Sequence, residues 1–165
     1  MRLTPLVLCL GLVASTLPMA VVGQRPDDQI APQSQTLLKQ GESLLSQGKL
    51  NEADDALETA LIVDPKNRAA FTLMAKVAIK QKLYGQAIRL TNKALALEPT
   101  DRDAIAVQGE AMVELGALPR ARENLARLQK LCGNAGCPQV AVLSTAIAKG
   151  PALAAAKTPD VPKKN

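Results

Sequence analysis

Two cysteines, Cys132 and Cys137, and an adjacent acid pair, Asp54-Asp55, are the residues of this 165-residue chain with the strongest claim to chemistry. A thiol–disulfide catalyst prefers Cys-x-x-Cys at a helix start, where the local field depresses a thiol pKa; here four residues intervene, which is the wrong spacing. The loop Cys132-Gly133-Asn134-Ala135-Gly136-Cys137 carries two glycines and an asparagine, pliable enough to bring the sulfurs together. Closing so small a loop stabilises a fold by about 2 kcal/mol on chain-entropy grounds. Zinc needs four ligands, and the chain has no histidine to complete a site around this pair. Without histidine there is no imidazole base, no Ser-His triad and no haem attachment of the Cys-x-x-Cys-His type. Asp54 and Asp55 fall early in a helical stretch, where acids complement the dipole and adjacent side chains do not face one another. The glycines lie at helix-packing and turn positions, so no phosphate-binding loop forms. The residues imply no enzyme and no cofactor; the catalytic alternative is a thiol–disulfide enzyme acting through Cys132 and Cys137.

The elements that position these residues have helical spacing. Leu37, Leu44, Leu45, Leu50, Ala53, Leu57, Ala60 and Leu61 return at intervals of three, four and seven. Breaks fall at Gln47-Gly48-Lys49, Asp64 to Asn67, Gln81-Lys82-Leu83, Glu98 to Asp101 and Gly116-Ala117. Asn67 and Asp101 are N-cap types for the helices that follow, and Ser34 is expected to cap the first. Pro119 is tolerated because it opens a helix. The spacing predicts six helices of roughly 12 to 15 residues. A seventh, Pro138 to Ala148, is expected to cover the exposed end with Val140, Leu143 and Ile147.

The ends differ from this middle. Arg2 followed by the uncharged apolar run 6–22 reads as a signal peptide over residues 1–23, cut after Gly23 or after Ala20. That predicts a periplasmic or secreted protein; the alternative is a chain held in a membrane by residues 6–22, a run slightly short for a bilayer and interrupted by Gly11 and Pro18. Cys9 lies too early to be a lipid-attachment site. Removal of the signal leaves Cys132 and Cys137, an even number that in an exported chain favours a disulfide. Residues 24–33 read as a linker and 150–165, with three prolines and a Lys-Lys end, as a disordered tail around the folded stretch 34–149.

A 34-residue beat runs through that stretch. Ala53, Ala87 and Ala121 keep it, as do Ala60 and Ala94, Leu61 and Leu95, and Pro65 and Pro99; Gly41 and Gly109, and Gly48 and Gly116, lie two beats apart. A period of this size marks stacked repeats that bury a core only together. Two helices per 34 residues with small residues at the crossings resembles the tetratricopeptide repeat. Repeats 34–67, 68–101 and 102–135 carry the matching Gly41, Gly48, Ala53, Ala60 and Pro65, then Ala75, Tyr84, Ala87, Ala94 and Pro99, then Gly109, Gly116, Ala121 and Leu125. Leu37, Phe71 and Ile105 stand where the family has Trp, Lys82 replaces the second turn glycine, and Gly133 replaces the third proline. The resemblance implies an all-α, right-handed helical-hairpin solenoid of three repeats with the 138–148 capping helix.

It also implies a concave groove lined by the first helix of each repeat. The groove side chains would be Gln35, Leu38, Glu42 and Leu45, then Thr72, Lys76 and Ile79, then Ala106, Glu110 and Val113. An apolar floor with mixed charges suits a protein or peptide segment, which makes the chain a protein-binding scaffold, in envelope-complex assembly by the family's habits; the groove could also be filled by the chain's own linker or a second copy. Family members that grip a terminal carboxylate use Lys, Asn and Arg at places held here by Leu38, Glu42, Leu73, Asp103 and Val107, so that activity is not carried over. Net charges of −3, +4 and +1 on the successive repeats are suited to head-to-tail self-association or to a partner of matching polarity, or are merely an unevenly decorated solvated surface. An overall +5 and only Phe71 and Tyr84 as aromatics argue against nucleic acid, and no small-molecule substrate is evident.

Overall fold

The computed structural model describes residues 29–151. They form α1 (Pro32–Ser46), α2 (Leu50–Val63), α3 (Arg68–Lys80), α4 (Tyr84–Leu97), α5 (Arg102–Glu114), α6 (Leu118–Cys132) and α7 (Pro138–Lys149), with one 3₁₀ turn, Gly133–Ala135, before α7. The 1–23 segment with its 6–22 run, linker residues 24–28 and the tail from residue 152 lie outside the described residues. The fold is an all-α helical-repeat solenoid. The helices α1, α3 and α5 make one layer, each paired with the next helix in sequence, and α7 packs on both α5 and α6.

Every expected break holds, for local reasons. The α1–α2, α3–α4 and α5–α6 turns share one pattern, in which Lys49, Leu83 and Ala117 donate backbone N–H groups to Leu44, Ala78 and Met112. The residue just before each, at Gly48, Lys82 and Gly116, has φ of +76°, +62° and +76°. Lys82 thus adopts a left-handed conformation that costs a non-glycine residue roughly 1 kcal/mol or more. At the other turns Asn67 Oδ1 accepts from the Ala70 N–H at 3.2 Å, and Asp101 Oδ1 from Asp103 and Ala104 at 2.9 and 3.1 Å. Both caps are as expected from the sequence.

Ser34 is not a cap. Pro32, lacking an N–H and with φ already helical, starts α1 three residues earlier than a Ser34 cap would, with Ala31 as N-cap. The Ala31 N–H is held by Asp64 Oδ2 at 2.8 Å. Ser34, one turn inside, is then fully buried: its hydroxyl donates to the Ala60 carbonyl at 2.7 Å and accepts from Asn67 Nδ2 at 2.8 Å. A single polar chain thereby ties α1, α2 and the start of α3.

Small residues set the layer spacing. Ala53, Ala60, Ala75, Ala87, Ala94 and Ala121 are fully buried. A Cβ at Gly41 would stand 2.6 Å from Leu57 Cγ, and one at Gly109 would stand 2.6 Å from Leu143 Cδ1. Gly41 therefore admits a side chain from its own hairpin partner, whereas Gly109 admits one from α7. Leu143 lies 34 residues after Gly109, so α7 continues the beat as a further first-type helix, with a large residue where the others are small.

Candidate functional site

The first-type helices expose a shallow channel. Leu38 and Glu42 from α1, Thr72 and Lys76 from α3, and Asp103 from α5 line a cleft of about 200 Å³. Lys76 and Asp103 also line a second cleft of about 140 Å³, with Ala106 and Glu110 from α5 and Gln139 and Val142 from α7. The shared residues make the two clefts parts of one surface crossing α1, α3, α5 and α7.

Of the sequence-derived groove residues, Leu38, Glu42, Thr72, Lys76, Ala106 and Glu110 are brought together on this channel. Thr72 and Ala106, at 5% and 4% exposure, supply floor rather than side-chain reach. The Thr72 hydroxyl is occupied by the Arg68 carbonyl at 3.2 Å. Gln35 lines a separate cleft at the solenoid's N-terminal rim, together with Leu38. Leu45 and Ile79, at the far ends of α1 and α3, are half-buried against the main core and line none of the clefts described. Val113 is 1% exposed, packed with Met112 and Ala121 and covered by Ala146 and Ile147 of α7. It presents nothing to a partner, because α7 lies over its face of α5.

Gln139 and Val142 were missed by assigning α7 only to capping; the continued beat from Gly109 to Leu143 was the signal. Val142 is half exposed, and Gln139 Nε2 donates to Asp103 Oδ1 at 2.8 Å, so α7 is joined to the groove wall as well as to the core.

Glu42, Lys76 and Glu110 stand 34 residues apart, one on each successive inner helix, and give a row of alternating sign across the channel. Burial pushes the Glu110 carboxyl up from its ordinary value, against the opposing pull of Lys76 and Lys80. The pair Asp54-Asp55 sits on α2, away from these clefts. The Asp54 carboxyl is raised first by burial and then by Glu58 and Asp55, and Asp55 is exposed. Among the described residues no group of three or more His, Cys, Asp or Glu could hold a metal ion. Cys132 and Cys137 stand with their Sγ atoms 1.99 Å apart and their Cα atoms at 5.7 Å, closing the link between α6 and α7.

Residues 44–104 match the family model described as tetratricopeptide repeat. Comparison with curated proteins gives no match. The first TPR domain of human RPAP3 superposes with a TM-score of 0.62 at 25% identity, covering 71% of this chain and 94% of that one. The first TPR of Spaghetti (RPAP3) bound to the HSP90 peptide SRMEEVD gives 0.61 at 25% identity, over 70% of this chain and 94% of that one. The Sgt2 TPR domain from Aspergillus fumigatus gives 0.65 at 20% identity, over 82% of this chain and 88% of that one. Paired helices on a 34-residue beat, left-handed turn residues in register, and the match over 44–104 converge: residues 44–104 match tetratricopeptide repeats, and the described residues share the fold of tetratricopeptide-repeat domains.

Proposed function

We propose that this protein is a non-catalytic scaffold that binds an extended or helical segment of another protein along the α1–α3–α5–α7 channel. The observation that carries the reading is the continuity of the two clefts through Lys76 and Asp103, with an apolar floor and a row of alternating charge. A similar fold bound to an HSP90 peptide is a protein of the same architecture gripping a segment of a partner. Here Leu38, Glu42 and Asp103 offer no cationic clamp, so a segment's side chains and backbone, not its terminal carboxylate, are the recognised features.

Capture tests this. A photo-crosslinking residue at Lys76 is expected to trap a partner from the native host. Leu38→Asp together with Lys76→Glu should reduce the partner recovered by unmodified protein at least tenfold. Ile62→Ser, an 80%-exposed position remote from the channel, should leave recovery unchanged. Equal losses from both variants, or none, would sink the groove reading.

We further propose that the chain acts outside the reducing cytoplasm, in assembly of an envelope complex, with residues 1–23 removed and Cys132–Cys137 oxidised. Among the described residues no helix is long and apolar enough to cross a membrane. The intact mass of protein from its host, alkylated without reductant, is expected to begin near Gln24, two hydrogens light and unlabelled. A full-length species alkylated at all three cysteines would favour an anchored chain facing a reducing compartment.

A further inference from the structure

A third cleft, of about 710 Å³, lies between the C-terminal half of α5 and α7. Its α7 wall is Ala141, Val142, Thr145 and Ala146, and α7 carries no charged side chain from Pro138 to Ala148. Ala141 and Thr145 are exposed, and Val142 is 50% exposed. Glu110 and Glu114 form the α5 wall. Glu114 is hydrogen-bonded to the Tyr84 side chain, and Glu110 stands in the field of Lys76 and Lys80, so neither acid awaits a partner. Apolar shape, not charge, decides what fits here.

The described chain itself ends in this cleft, because Gly150 and Pro151 line it. The next five residues are Ala152-Leu153-Ala154-Ala155-Ala156, all aliphatic and uncharged. Two of the residues leaving α7 stay on the 34-residue beat. Gly150 continues Gly48, Lys82 and Gly116 and shares their positive φ, at +71°. Ala155 continues Ala53, Ala87 and Ala121, each the fully buried small residue of a second-type helix. Thr158-Pro159 stops any helix there, so the register supplies only the stub of a second-type helix.

We infer that residues 152–156 of this chain dock in cis along α7 in this cleft, with Leu153 against Thr145 and Ala146, and cover the α7 end of the channel. The reach is sufficient. From Lys149 back to Val142 is about 10 Å along the helix axis, and five extended residues span up to about 17 Å. So short a tether holds the segment at an effective concentration on the order of millimolar, which a separate segment must outcompete. Glu110 and Val142 line both this cleft and the channel, so the docked segment competes with a partner at that end. The competition rests on the proposed scaffold function; the docking does not.

Photo-crosslinking in the full chain reads the docking with no partner present. A benzophenone amino acid at Ala155 is expected to link to residues 141–146, as mapped by mass spectrometry. In an equal mixture of isotope-labelled and unlabelled protein, the links should stay within one chain. Leu153→Asp should lower their yield at least fivefold, with an unchanged circular dichroism spectrum. Links between labelled and unlabelled chains would make a second copy the occupant and overturn the inference. So would links scattered over the surface, or a yield indifferent to Leu153→Asp. Partner recovery through a crosslinker at Lys76 should rise severalfold in the Leu153→Asp chain, and equal or lower recovery would overturn the competition. Links confined to α7 with no partner captured at Lys76 would sink the scaffold reading and leave the docking standing; scattered links with normal capture would do the reverse.

Discussion

Leu57→Ala is expected to lower the unfolding free energy by about 3–4 kcal/mol, read as a fall in urea midpoint with little change in slope. Leu57 is fully buried and its branch point occupies the space that the absent Cβ of Gly41 leaves between α1 and α2. Truncation empties the space that Leu57 fills against Gly41, and the fully buried Ala53 and Ala60 on the same face of α2 have no atoms with which to fill the void. Ile62→Ala, on the same helix but 80% exposed, should change stability by less than about 0.5 kcal/mol. The partner substitution gives the sharper outcome. Gly41→Ala alone should destabilise, because its Cβ meets Leu57 Cγ at 2.6 Å. In the Leu57→Ala background the same change should stabilise, since the space is open and alanine is favoured over glycine in a helix by about 1 kcal/mol. The same sign for Gly41→Ala in both backgrounds would contradict the packing assigned to this crossing.

The helix pattern was legible because its punctuation is chemical. Asn67 and Asp101 announce caps by their side-chain oxygens, and Gly48 and Gly116 announce left-handed turns by having no Cβ. Lys82 shows that register outweighs residue type: it takes the left-handed conformation that two glycines adopt one beat away on either side. Ser34 misled because Pro32 is an equally good start signal two residues earlier, and sequence alone ranks the two poorly. The groove was legible only in its middle. Periodicity places a residue on a face of its own helix, but whether that face is covered depends on the neighbouring helix. Val113 shares a face with Ala106 and Glu110 and is nevertheless covered by α7, whereas Gln139 and Val142 reach the channel from the helix expected merely to close the stack.

That dual place of α7 sets up the second large effect. Gly109→Val is expected to cost about 3 kcal/mol and to act on one end of the solenoid. Its Cβ would meet Leu143 Cδ1 and Cδ2 at 2.6 Å, and Leu143 is itself fully buried. Leu143 cannot swing aside within the cluster formed by Ile105, Ala106 and Leu128, so relief requires α7 to move. Stacked repeats share stability between neighbours, and a terminal helix yields before the interior does. Amide exchange along α7 should therefore rise by one to two orders of magnitude, while amides of α1 to α4 keep their protection. Reducing Cys132–Cys137 should enlarge the α7 effect, because the short closed loop holds α7 near its site even when its packing is lost. The displacement would also carry Gln139 and Val142 off the channel and break the Gln139–Asp103 hydrogen bond, so a segment spanning to that end should bind more weakly. Contacts made at the α1–α3 end of the channel, at Leu38, Glu42 and Thr72, should persist. Uniform loss of protection over all seven helices would instead mean that the solenoid unfolds as one unit, and that α7 is part of its core and not its movable end.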